Sequence, residues 1–117
     1  MPDDYFMISR EPSAPGPIRL SFSGDLDMGA RDEIRDALIE AVKDADAAAT
    51  ADDAEATAGA VLADLRGVRF IDSEAVSAIL EGYLAAERAG LGFRLSGARG
   101  IVRRVFEVIG LEHLFDD

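Results

Sequence analysis

Ala60-Val61-Leu62-Ala63-Asp64-Leu65-Arg66-Gly67-Val68-Arg69-Phe70-Ile71-Asp72-Ser73-Glu74-Ala75-Val76 places a strand signal directly before a helix signal. Ala60 to Leu65 is apolar except for Asp64, which suits a strand covered on both faces. Gly67 is expected to break that strand, with Phe70-Ile71 as a short apolar step after it. Asp72 and Ser73 stand where a helix N-cap belongs. Beyond Glu74 the period becomes helical: Val76, Ile79, Leu80, Tyr83 and Leu84 recur at spacings of three and four and predict one apolar face. The stretch therefore predicts strand, tight connection and helix, with an Asp-Ser pair at the positive end of the helix dipole. On a solvent-facing Ser73, a phosphate would change the local charge sharply.

The chain has 117 residues, enough for one core and one domain over 1–117. It has no cysteine, which excludes disulfides, thiolate metal sites and thiol catalysis. No apolar run approaches the length of a membrane span, and Met1-Pro2-Asp3-Asp4 lacks the basic start of a signal peptide, so a cytoplasmic protein is expected. The formal net charge of -11 argues against nucleic acid or an anionic membrane surface as a direct partner. It is compatible with a basic protein partner and equally with acidity that serves solubility alone.

Outward from the central stretch, Tyr5 to Arg10 and the alternating Ile18 to Ser23 predict a hairpin around Pro12, Pro15, Gly16 and Pro17. Gly24-Asp25-Leu26-Asp27 ends its second strand. Asp25 and Asp27 would point the same way on an extended chain, as a metal or acid/base pair would require. No His, Cys or third carboxylate joins them in a ligand motif, so the alternative is Asp27 as the cap of the next helix. Arg31 to Asp44 predicts that helix, with Ile34, Leu38, Ala41 and Val42 inward. Residues 45–59 form an acidic, Ala-rich segment without apolar period, either a mobile loop or an extension of the helix.

Gly90 marks the end of the central helix, and Leu91 to Ser96 predict another strand. Ile101 to Ile109 predict a last helix with Ile101, Val102, Val105, Phe106 and Ile109 inward, stopped by Gly110. Leu114 and Phe115 are expected to close the core. His113 is the single histidine; without a Ser-His-Asp pattern or second ligand it reads as a surface or packing residue. Strands alternating with amphipathic helices after a hairpin give an α/β fold with a mixed, largely parallel sheet.

Three ordered motifs add a family resemblance. Leu65-Arg66-Gly67-Val68-Arg69-Phe70-Ile71-Asp72-Ser73 resembles the signature of the STAS domain, specifically of bacterial anti-sigma factor antagonists. Gly24-Asp25-Leu26-Asp27 is similar to that family's Gly-Glu-Leu-Asp, and Val102 to Leu111 with Leu114-Phe115 resembles its closing helix and tail. The resemblance implies a four- to five-stranded sheet with amphipathic helices packed on it. Residues 45–59 are then an insertion, because the family closes this connection more briefly. It implies a non-enzymatic partner switch without cofactor or metal: the unmodified chain binds an anti-sigma factor that is also a serine kinase. Phosphorylation at Ser73 blocks the complex and a serine phosphatase restores it. Asp25, Asp27, Asp72, Ser73, Glu74 and Ser77 would form the partner-binding surface.

One departure bears on the switch. The family commonly carries two adjacent hydroxyl residues and then Gly, whereas here Ser73 is followed by Glu74 and Ala75. Three readings follow: Ser73 is the acceptor; the chain is a constitutively biased antagonist with Glu74 as a weak mimic; or Ser73 and Glu74 only start a helix. From other classes, an accessory STAS subunit of a transporter or sensory scaffold and an enzyme working through Asp25 and Asp27 are the alternatives.

Overall fold

Val61–Ile71 is one continuous eleven-residue strand at the centre of the sheet. The computed structural model describes residues 6–11, 18–51 and 61–115, the side chains of 28 and 48–51 aside. In chain order these form β1 (Phe6–Glu11), β2 (Ile18–Leu26), a 3-10 turn (Met28–Ala30), α1 (Arg31–Ala51), β3 (Val61–Ile71), α2 (Ser73–Arg88), β4 (Phe93–Ser96), α3 (Gly100–Val108) and a second 3-10 turn (Glu112–Leu114). The sheet order is β1-β2-β3-β4. β1 and β2 run antiparallel, while β2–β3 and β3–β4 are parallel. The fold is thus the mixed, largely parallel α/β arrangement that the sequence predicts, with four strands among the described residues.

Gly67 does not break β3. Ser21 and Ser23 of β2 face Asp64 and Gly67, so three steps of β3 oppose two of β2; the register slips again between Gly24 and Asp25, which face Val68 and Phe70. Each slip is a bulge, which bends the strand without ending it. Gly67 is needed for a different reason: a Cβ there would lie 2.8 Å from the Cβ of Ser23. β2 ends at Leu26, within the stretch Gly24 to Asp27 expected to end it, and Gly24, with a φ of 90°, sits at the second slip.

The core holds Leu20, Phe22 and Leu26 of β2 and Val61, Ala63 and Leu65 of β3, all buried. Ile34, Leu38, Ala41 and Val42 of α1 and Ala75, Ala78 and Ile79 of α2 are buried as well. Each large apolar side chain in this set stabilises the fold by about 1.5–3 kcal/mol. α1 and α2 pack against each other at Gly82, where an added Cβ would come within 2.7 Å of the Leu38 Cβ. α1 continues to Ala51, so the first part of the acidic segment is helical. The Pro-rich hairpin turn at 12–17 and residues 52–60 lie outside the described residues.

Asp64 interrupts the apolar strand yet is only 7% exposed. Burial alone would push its carboxyl up, but the Arg66 backbone N–H at 3.0 Å, the Arg19 guanidinium at 3.1 Å and the charge of Arg66 hold it below the usual range. Phe115 makes a parallel bridge to Leu95 beside β4 and packs edge-on against Phe106, with Arg103 over its ring at 4.4 Å from the centroid.

Two helices bury less than their periodicity predicts. Leu84 of α2 is exposed. In α3, Val102 and Phe106 are buried, but Ile101 is 64% exposed and Ile109 46%. Apolar residues at 101, 102, 105, 106, 108 and 109 span more of a helix than one side of a sheet can cover, so Ile101, Val108 and Ile109 face outward while Val105 packs partly against the core.

Candidate functional site

The junction of β3 and α2 is built by Asp72. Its carboxylate accepts the backbone N–H of Ala75 at 3.0 Å, so it is the N-cap. Ser73 is therefore the first helical residue and does not cap; its side chain faces solvent at the positive end of α2. The backbone N–H of Asp72 donates to the Leu26 carbonyl at 3.1 Å. That bond ties the end of β2, with Asp25 and Asp27, to the Asp-Ser turn.

Asp25, near the end of β2, and Asp27, just past it, have separate partners. Asp25 is opposite Phe70 in the sheet and 3.4 Å from the Arg69 guanidinium. Asp27 Oδ1 accepts the N–H of Gly29 at 3.0 Å, and its carbonyl accepts that of Ala30 at 2.8 Å. Asp27 thus closes the 3-10 turn that leads into α1, a local form of the expected cap. Among the described residues, no group of three or more His, Cys, Asp or Glu is placed to hold a metal ion.

Glu74 and Ser73 turn to different sides of α2. Arg31, at the start of α1, lies 3.2 Å from the Glu74 carboxylate and 3.7 Å from Glu81, one helical face away from the hydroxyl. Ser73 and Ser77, one turn apart, instead line a groove of about 540 Å³ between α2 and the end of α3. Ile71, Val76, Leu80, Val105, Ile109 and Leu111 supply its apolar lining, and Asp72 completes it. Five of the six expected surface residues therefore gather at one end of the sheet, and Glu74 is engaged toward α1.

Sequence reasoning missed the α3 contribution and Arg31. Phe70, read as an apolar step, is exposed beside Asp25. The surplus of apolar positions in α3 was the available signal that one of its faces stays outside the core.

Comparison with known proteins agrees with this architecture. The STAS domain family model matches residues 10–116. The anti-sigma factor antagonist SpoIIAA in its unphosphorylated form superposes with a TM-score of 0.73 and 20% identity, over 95% of this chain and 87% of that one. An anti-sigma factor antagonist from Mycobacterium paratuberculosis gives 0.74 and 24%, over 98% and 86%. The phosphorylated form of SpoIIAA, a Bacillus cell fate determinant, gives 0.69 and 19%, over 95% and 90%. At these identities the likeness is one of fold. No curated protein sequence matches the chain. Among the described residues, no helix is long and apolar enough to cross a membrane. With nearly its whole length matched, the chain belongs to the STAS domain family.

Proposed function

We propose that this chain is an anti-sigma factor antagonist of the cytoplasm: a binding module without catalysis of its own, switched by a phosphate on Ser73. The observation that carries the proposal is the exposed Ser73 hydroxyl at the first position of α2, held there by the Asp72 cap. The fold shared with SpoIIAA, known in phosphorylated and unphosphorylated forms, supports it. The partner is an anti-sigma factor that acts as serine kinase, and a serine phosphatase reverses the modification. Asp25, Asp27, Asp72, Ser73 and Ser77 form the docking surface, and Glu74 sets its flank through Arg31. A phosphate adds about -1.5 to -2 charge to this acidic end. One unfavourable group at the centre of an interface outweighs many neutral contacts at its rim.

The test is incubation with the kinase encoded by the same organism and ATP, followed by mapping of the product by mass spectrometry. Phosphate on Ser73 is expected, and none on a Ser73→Ala variant. An unmodified chain, where a control antagonist is modified, contradicts the switch.

A second reading is favoured by one observation: Glu74 fills the second hydroxyl place and its carboxylate is taken up by Arg31. A chain whose acceptor had been lost in this way would serve as a non-cycling STAS subunit of a transporter or sensory scaffold. Stable co-purification with a membrane complex, without a kinase, would mark that role.

A further inference from the structure

Resting on the antagonist reading, we propose that the α2–α3 groove beside Ser73 seats an aliphatic or aromatic side chain of the anti-sigma factor, presented on a segment with flanking Lys or Arg. The groove is apolar on both walls, with Val76 and Leu80 from α2 and Val105, Ile109 and Leu111 from the α3 end. Its volume of about 540 Å³ lies in the range of pockets that enclose a sizeable apolar group. Ile109 remains 46% exposed there although the core has room for its neighbours Val102 and Phe106. Charge identifies the flanks of the occupant. The groove opens at Asp72, which is bonded to the β2 end that carries Asp25 and Asp27, and the whole chain has a net charge of -11. Asp72 is the single carboxylate of the lining, and an apolar slot with that acid at its mouth on a strongly acidic chain selects a basic segment with an apolar anchor.

The placement also changes how a phosphate on Ser73 acts. Ser73 lines the groove itself, so an anchor entering it would have to strip water from the phosphate. Desolvating a charge beside apolar walls is costly and is little affected by salt. Plain repulsion between exposed charges is screened within about 10 Å at 0.1 M salt and within about 3 Å at 1 M. The phosphate on Ser73 thus blocks binding by spoiling an apolar seat, and its effect persists at high ionic strength.

The experiment is calorimetric titration of the purified anti-sigma factor with the full chain and three variants. Thermal melts are run first to verify that each variant is folded. Ile109→Asp places a carboxylate in the groove, Ile109→Ser removes its apolar surface without adding charge, and Val108→Asp adds a charge on the same helix outside the groove lining. Both Ile109 variants are expected to weaken binding tenfold or more, and Val108→Asp threefold or less. With phosphoserine installed at position 73 during synthesis, the loss of affinity is expected to be the same within threefold at 0.1 M and 1 M NaCl. Binding by the wild type that Ile109→Asp and Ile109→Ser leave unchanged overturns the groove and leaves the antagonist reading standing. An equal loss in Val108→Asp places the seat elsewhere on α3 and overturns it too, as does a phosphoserine effect that vanishes at 1 M NaCl. A wild-type chain that does not bind the anti-sigma factor overturns both readings.

Discussion

Asp72 and Leu26 are joined by a backbone hydrogen bond of 3.1 Å, and through it the end of β2 and the first turn of α2 become one surface. The Asp72 side chain meanwhile caps α2 through Ala75 at 3.0 Å. A single residue thereby fixes where the helix starts, which makes Ser73 its first residue, and where Asp25 and Asp27 lie relative to that hydroxyl.

Replacing Asp72→Ala removes the cap while leaving the backbone bond possible. The expected cost is about 1 kcal/mol of stability, seen as a lower urea midpoint with an unchanged slope. The same variant should slow phosphorylation of Ser73, because a frayed first turn no longer presents the hydroxyl in one place. Unchanged stability would show that the cap seen here contributes nothing.

Gly82 lets α1 and α2 approach. Gly82→Ala gains about 1 kcal/mol of helix propensity but drives a methyl group to 2.7 Å from the Leu38 Cβ. Overpacking of this kind costs about 1–3 kcal/mol, so net destabilisation is expected in chemical denaturation. The double variant with Leu38→Ala should lose less than the sum of the two single changes, since it removes the Leu38 Cδ1 and Cγ contacts at 2.9 and 3.3 Å and leaves a smaller, more adjustable side chain at the remaining Cβ.

Asp64 gives the fold a pH dependence of known sign. Its carboxyl is held low in the folded chain, so the native state favours the ionised form. Its stabilisation is present above the ordinary carboxylate pKa of about 3.9 and is lost as pH falls through the lower folded value. Asp64→Asn should therefore destabilise the chain at pH 7, by about 1–3 kcal/mol. It should also flatten the part of the stability curve below pH ~4. Urea midpoints measured from pH 7 down to pH 3 check both.

Arg31 and Glu74 form an exposed pair, so Glu74→Ser should change stability by less than about 1 kcal/mol. It restores a second hydroxyl. Fragment-ion mass spectrometry of the peptide spanning both residues, after kinase treatment, should place the phosphate on residue 73. Transfer to residue 74 would identify the second place as the preferred acceptor and support the reading in which the native chain has lost it.

The strand-turn-helix order was legible because each part carries its own local signal. The run at Val61 to Leu65 needs burial, Asp72 needs the free amides of a helix start, and the three-four spacing from Val76 needs a helical face. The continuity of β3 through Gly67 was hidden, because a glycine that ends a strand and one that admits a neighbouring strand look alike until Ser23 is placed opposite it. The groove was hidden for a related reason. Ile109 reads as core by periodicity, and only the packing of Val102 and Phe106, with Val105 half-buried beside them, shows that the core leaves it out. The separation of Glu74 from Ser73 required Arg31, forty-three positions upstream of Glu74, and no local pattern links them.

The most direct test of the central claim compares two forms of one chain against one partner. The purified anti-sigma factor is titrated with the unmodified protein and with protein carrying phosphoserine only at position 73. Specific binding of the unmodified chain is expected, with an affinity at least a hundredfold lower for the phosphorylated one. Equal affinities would contradict it.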